Sequence, residues 1–192
     1  MCPWCYVCAV RLDTLQREVG DVLTIEWRSF LLRPRAEDRS LEAFTRYTEH
    51  WARPAEAEPR ASFHTWSGEH APPSHSMPSA IAGKAVAHAF GPEAFDRFHL
   101  ASMHAYFAEN RTISDREVML DVAMHVGIDA VALAARIDAD SAALEAEVVA
   151  DHKAALAQGI AAVPTVVIGD EYMLQGALGL EQYRKVVSRL GG

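Results

Sequence analysis

Three cysteines fall within eight residues in the stretch "MCPWCYVCAV": Cys2 and Cys5 flank Pro3 and Trp4, and Cys8 follows three places on. Cysteines at i and i+3 lie one helical turn apart, close enough to form and break a disulfide. Only the thiolate attacks a disulfide, and a free thiol with a pKa of about 8.5 is mostly protonated at neutral pH. A helix N-terminus lowers that barrier, because its unpaired N–H groups and roughly half a positive charge stabilise an anion placed there. Cys2 lies at the start of a predicted helix and Cys5 one turn further in, more shielded. This asymmetry makes Cys2 the attacking thiol and Cys5 the resolving thiol. Pro3 and Trp4 fix the local geometry and so help set the potential.

The same spacing admits other chemistry. A CxxC pair also occurs in metal sites, and C-x2-C-x2-C is a spacing used in iron–sulfur ligation. No fourth cysteine lies nearby, and zinc would need a histidine brought from elsewhere. CxxC at a helix start in an α/β chain favours redox work, so no metal is assigned. Three cysteines crowded into one turn region are not a disulfide framework, which spreads an even number over a small secreted chain. Cys8 reads as a small, half-buried helix residue, although a Cys5–Cys8 interaction is geometrically conceivable.

The elements that must position these thiols follow from periodicity. "PWCYVCAVRLDTLQREVG" is a helix, with Val7, Val10, Leu12, Leu15 and Val19 near helical spacing, Pro3 in the first turn and Gly20 as the stop. "VLTIEWRSF" alternates and is β-branched and aromatic, which predicts a strand. A helix over "LEAFTRYTEHW" precedes a long Pro-, Ser- and His-rich loop, "ARPAEAEPRASFHTWSGEHAPPSHSMP". From Ser79 the chain is helical for a long stretch. Pro92 starts one helix, Ser114 with Glu117 forms a capping box closed by Gly127, and Asp129 and Ser141 cap two more, the last ending at Gly159. "TVVI", a Gly-Asp turn and "YMLQ" make a β-hairpin, and "LGLEQYRKVVSRL" closes the chain as an amphipathic helix. The expected fold is therefore α/β with an all-helical insertion. Residues 1–39 and 141–192 make one domain, and residues 40–140 make the insertion.

Bulk properties narrow the partners. With 192 residues, half of them hydrophobic and 23% charged, the chain has a globular composition. Its formal charge of -8 argues against general nucleic-acid binding, which wants a basic face. No apolar run reaches the roughly 18 residues of a membrane span, and no signal segment is visible, so a cytoplasmic location with no membrane partner is expected.

Several of these stretches together resemble the DsbA-like thioredoxin-fold family, most nearly its FrnE-type branch of cytoplasmic thiol–disulfide oxidoreductases. They are "CPWCY" opening a helix, "IEWRSF" as the next strand, "AYFAENRTISDREVMLDVAMHVGID" in the helical middle, and "GIAAVPTVVIGDEYMLQGA" before the last helix. The resemblance implies a thioredoxin-like fold, Cys2 as nucleophile and Cys5 as resolving thiol. It also implies that Pro164 is cis and faces the disulfide, with the Val163 backbone, flanked by Thr165, binding an extended substrate segment. Protein thiols and disulfides or glutathione are the implied partners, with no tightly held organic cofactor, and a homodimer through the helical block is conceivable. Glutathione-dependent isomerases of the 2-hydroxychromene-2-carboxylate type and kappa-class transferases share the helical insertion and give the alternative activity. In that branch a serine commonly replaces the first active-site cysteine, and this chain keeps Cys2.

Two features depart from the family. Its members carry a β-strand ahead of the CxxC, inside the sheet, where this sequence has only Met1; an upstream start is expected on that ground. Were Met1 the first residue, its ammonium would lie beside Cys2 and favour the thiolate. Cys8 is the second departure, at a position where the family more often has a small residue. Elsewhere, His64, His70 and His75 read as solvated loop histidines near Trp66. His99 and His104 belong to a packing stripe with Phe98, Met103, Tyr106 and Phe107. Trp4 is expected to be exposed and Tyr6 packed, and "SHSMPSAIAGKA" offers a helix start where an anion could sit.

Overall fold

The computed structural model describes residues 2–169 and 171–190. Helix α1 (Pro3–Val19) is followed by an extended segment, then α2 (Leu41–Thr48), a 3-10 turn and the short α3 (Ala52–Ala57). After a loop come α4 (Met77–Phe90), α5 (Pro92–Phe107), α6 (Arg116–His125) and α7 (Ala130–Ala157). Strands β1 (Thr165–Ile168) and β2 (Tyr172–Gln175) and helix α8 (Leu180–Leu190) complete the chain. The strands form an antiparallel hairpin with Thr165 opposite Gln175 and Ile168 opposite Tyr172. Gly169 enters the turn at φ 61, where a side chain would be strained; Asp170, the other expected turn residue, lies outside the described residues, as does Met1.

Helix α1 separates two apolar clusters. Tyr6 and Val10 face the larger, which gathers Phe44, Trp51, Trp66, Phe98, Tyr106 and Phe107. Cys8, Leu12 and Leu15 face the smaller, packing with Tyr183 of α8 and with Val166, Ile168 and Leu174 of the hairpin. A helix sandwiched in this way is buried on two sides, which is why its apolar residues outnumber one stripe.

The segment predicted as a strand differs from expectation. Leu23, Ile25 and Trp27 are half-buried against the smaller cluster and alternate with exposed Thr24, Glu26 and Arg28. The period of two is there, yet among the described residues 23–30 join no strand ladder. Alternation reports which face is covered; a strand also needs a neighbour for its N–H and C=O groups. Side chains serve instead: Asp151 accepts from the Ser29 N–H at 2.9 Å, and the Trp27 indole donates to Asp96 at 2.9 Å.

Other boundaries move too. Residues 52–57 of the expected loop are helical, with Pro54 in the first turn of α3, where its missing N–H removes no helix bond. Helix α4 begins two residues early, at Met77, with Pro78 in its first turn. The Ser114–Glu117 capping box does not form. Asp115 is the N-cap, accepting from the Glu117 N–H, while the Ser114 hydroxyl accepts from the Ser74 N–H. A carboxylate beside the helix start outcompetes the hydroxyl, since its charge also meets the helix dipole. Asp115→Ala should therefore lower stability by about 1 kcal/mol in chemical denaturation, and Ser114→Ala by less. The two helices expected on either side of Ser141 join end to end as α7, meeting at a kink one residue earlier, where Asp140 is non-helical (φ -120, ψ 15). Asp129 does cap α7, accepting from the N–H groups of Val131 and Ala132.

Candidate functional site

Cys2 is the N-cap of α1, with extended backbone (φ -118, ψ 118), and its sulfur accepts the Cys5 N–H at 3.3 Å. Its carbonyl takes the first helical bonds, from the N–H groups of Cys5 and Tyr6. Pro3 occupies the first turn, where a missing N–H removes nothing. The expected cap of anion-stabilising donors is thus built on the sulfur itself.

The thiols are free and respond unequally. The Cys5 thiol hydrogen-bonds to the Cys2 sulfur and, with the N–H groups of Cys5 and Trp4, brings Cys2 down to about 7 against the opposing effect of burial. The same bond pushes Cys5 far up, helped by burial and by the neighbouring Cys2 charge. The pair therefore releases one proton near neutral pH, and Cys2 carries the resulting charge.

From the far end of the chain the hairpin delivers the second half of the site. The Val163–Pro164 bond is cis, and the Cys2 S–H donates to the Val163 carbonyl at 3.5 Å. Thr165 closes the turn, its hydroxyl donating to Ala162 O at 2.8 Å. Pro164 is buried, Val163 and Thr165 half-buried, and Trp4 stands 38% exposed beside the thiols, where a partner can reach it. Cys2, Cys5, Val163 and Pro164 are brought together, with Pro3, Trp4 and Thr165 flanking them. Two clefts of about 530 and 540 Å³ lie elsewhere; neither is lined by Cys2, Cys5, Trp4 or Pro164.

Cys8 is fully buried rather than half-buried, its sulfur 3.3 Å from the Tyr183 hydroxyl, and burial pushes its thiol up. It turns away from solvent toward α8. Two of the loop histidines have partners: His64 Nδ1 lies 2.6 Å from Ala108 O, just past α5, and His75 Nδ1 2.9 Å from the Ser74 hydroxyl beside it. Trp66, by contrast, is a core residue whose indole donates to His70 O. His99 packs between Trp27 and Phe95, and burial lowers it to about 4. Among the described residues no group of three or more His, Cys, Asp or Glu is arranged to hold a metal. Ser76, at the start of α4, makes no side-chain cap bond and donates instead to Arg33 O.

Sequence reasoning missed a buried polar cluster behind the site. Arg11 and Glu58 pair at 3.0 Å with side chains 9% and 6% exposed. A signal existed: Arg11 interrupts the stripe Val7, Arg11, Leu15 at four-residue spacing, and a charge there must find partners inside.

The fold recurs in solved structures of low identity. A candidate protein disulfide isomerase from Nitrosomonas europaea superposes with a TM-score of 0.80 at 16% identity, covering 98% of this chain and 92% of that one. The cytosolic disulfide reductase DsbM from Pseudomonas aeruginosa, solved with GSH, gives 0.77 at 19% identity, covering 99% and 94%. A 2-hydroxychromene-2-carboxylate isomerase gives 0.69 at 19% identity, covering 98% and 91%. No curated protein matches the sequence significantly. No helix among the described residues is long and apolar enough to cross a membrane. The model of the DSBA-like thioredoxin domain matches residues 1–188, nearly the whole chain, and by that match this protein belongs to the DsbA-like thioredoxin-domain family.

Proposed function

We propose that this chain is a cytoplasmic thiol–disulfide oxidoreductase of the FrnE-type branch, with Cys2 as nucleophile and Cys5 as resolving thiol. One observation carries the reading: the Cys2 sulfur caps α1, titrates near 7 and faces the Val163 carbonyl, while Cys5 stays protonated beside it. The Cys2 thiolate attacks one sulfur of a partner disulfide, a Cys2–partner bond forms, and the displaced partner sulfur leaves as thiolate. Losing its charge, Cys2 no longer holds up the Cys5 thiol, so Cys5 gives its proton to the leaving thiolate. Cys5 then attacks Cys2, releasing the second partner thiol and leaving Cys2–Cys5 oxidised. The reverse sequence oxidises a dithiol; the reduction potential sets the direction.

Backbone groups of Val163 and Thr165 would hold an extended partner segment by strand addition, with Pro3 and Trp4 forming the opposite rim. Glutathione or a protein thiol fits this role, and the Pseudomonas aeruginosa reductase was solved with GSH. The isomerase alternative shares the fold, but the retained Cys2–Cys5 pair favours exchange. Residues 1–39 and 141–192 would form the thioredoxin-like unit around the smaller cluster, whose members fall within 8–27 and 166–187. Residues 40–140 would form the insertion, ending at the Asp140 kink.

A glutathione redox titration read by peptide mass spectrometry tests the proposal. A Cys2–Cys5 disulfide with a midpoint between about -270 and -120 mV is the expected result. Absence of that disulfide, or Cys5–Cys8 pairing in its place, overturns it.

A further inference from the structure

We infer that Arg11 is a positioning residue, holding the Val163–Pro164 turn level with the Cys2 sulfur by gripping the chain where it leaves β2. The inference rests on the oxidoreductase reading for its functional meaning. Arg11 is 7% exposed, and its guanidinium is nearly saturated. Nη1 donates to Ala177 O at 3.0 Å and to Leu178 O at 2.9 Å; Nη2 donates to Ala57 O and Nε to Glu58. The carbonyls it grips lie just beyond Gly176, whose N–H donates to Pro164 O at 2.8 Å. The path from Arg11 to the cis-proline turn is therefore two residues and one hydrogen bond.

The circuit closes on α1. Cys2 and Arg11 sit nine residues apart on one rigid helix, about 13 Å along its axis. Cys2 meets the hairpin's entry at Val163 O, and Arg11 meets its exit at Ala177 and Leu178. A two-stranded hairpin is marginal alone and takes its position from what it packs on. Two attachment points on the same helix fix how far Val163 O stands from the sulfur. Nη1 alone meets both hairpin carbonyls, and the fork of arginine aims it there because Nη2 and Nε are held at Ala57 O and Glu58. A lysine ammonium is a point charge on a flexible stem without those two further anchors. Glu58 neutralises the buried charge but touches none of the hairpin. It is anchored separately by Arg60, which also donates to the Thr14 hydroxyl.

Arg11→Met, Arg11→Lys and Glu58→Gln, each in the full chain, separate this role from simple packing. Iodoacetamide alkylation of Cys2 against pH reads the sulfur's surroundings, and KM for a peptide disulfide reads the turn. The Val163 carbonyl bonds the protonated thiol, so releasing it favours the thiolate. Arg11→Met should shift the alkylation midpoint down by about half a unit, giving roughly threefold more thiolate at pH 6. KM should rise by about tenfold, without slower alkylation. Arg11→Lys should give smaller shifts of the same sign, and it serves as the deciding variant if Arg11→Met does not fold. Glu58→Gln should lower the thermal midpoint but leave both readouts in place. Arginine variants that move neither readout overturn the inference, as does Glu58→Gln moving both equally. A wild-type chain that never forms the Cys2–Cys5 disulfide sinks the oxidoreductase reading alone, because alkylation reports the grip without any exchange.

Discussion

Cys2→Ser is expected to lower disulfide exchange by at least about three orders of magnitude, because the hydroxyl that replaces the thiol is not ionised near neutral pH. Cys5→Ser should behave differently. Its Cys2 still attacks, but the mixed disulfide with the partner accumulates for want of a resolving thiol, which intact-mass measurement detects directly. Equal loss in both variants with no trapped adduct would remove the distinction between the two thiols. The wild-type titration carries the same asymmetry. Cys2 sits at about 7 because the Cys5 thiol and nearby N–H groups bond its anion, so alkylation should rise sigmoidally with its midpoint there. Cys2 binds fewer protons in the folded, reduced chain than in the unfolded one between about pH 7 and the ordinary thiol value. Its contribution to stability therefore grows with pH through that window and is lost as pH falls back through about 7. Cys5 and Cys8, pushed up, act in the opposite sense as pH approaches the ordinary thiol value. The redox midpoint follows: two protons accompany two electrons below pH 7 and one above it. Its slope should change from about -59 to about -30 mV per pH unit near pH 7. A single slope across that range would mean Cys2 is not ionised there.

Asp151→Ala should lower stability by about 3 kcal/mol and the thermal midpoint by roughly 10 °C, the largest effect expected away from the thiols. Asp151 is 5% exposed and receives three donors: Lys84 at 2.7 Å, Arg28 at 3.1 Å and the Ser29 N–H at 2.9 Å. These tie the extended segment to α7 and α4, doing for residues 28–29 what a strand ladder would otherwise do. Removing the carboxylate leaves Lys84 to Glu147 alone, 2.8 Å away, and leaves the Ser29 N–H without its acceptor. Asp151→Asn keeps an acceptor for Ser29 and should lose about half as much. Burial pushes the Asp151 carboxyl up, but Lys84, the Ser29 N–H and Arg28 outweigh it and hold it below the usual range. A depressed carboxylate stabilises the fold above its unfolded value and loses that contribution as pH falls through its folded one. Wild-type stability should thus fall more steeply than that of Asp151→Ala below about pH 4. A loss under about 1 kcal/mol for Asp151→Ala, the level of a surface pair, would show that the segment is held by packing alone.

Local chemistry made much of the framework legible. Pro3 and Gly20 bracket α1, Pro92 opens α5, Asp129 caps α7, and the "TVVI" and "YMLQ" runs pair as written. Each is a short-range effect in which a fixed φ, a side-chain acceptor or a turn residue acts on its immediate neighbours. Signals failed where two residues compete for one role or where a distant partner decides. Asp115 displaced Ser114 as a cap because a neighbouring loop took the serine hydroxyl. Trp66, read beside loop histidines, fills the core because Phe44 and Tyr106 close over it. Cys8 proved fully buried because Tyr183, at the other end of the chain, reaches it.

At the site, residue order alone supplies the chemical groups and their first positions. A thiol one residue before a proline-started helix becomes the helix cap, and a second thiol one turn on must be its neighbour. The meeting of Cys2 with Val163, 161 residues away, comes only from the folded chain. The grip of Arg11 on the hairpin exit and the tie of Asp151 to the extended segment belong to the same class. Helix caps and turns are set by bonds between residues a few places apart, which a pattern can carry. Contacts between distant segments depend on how two cores pack on opposite sides of one helix, and no local spacing encodes that.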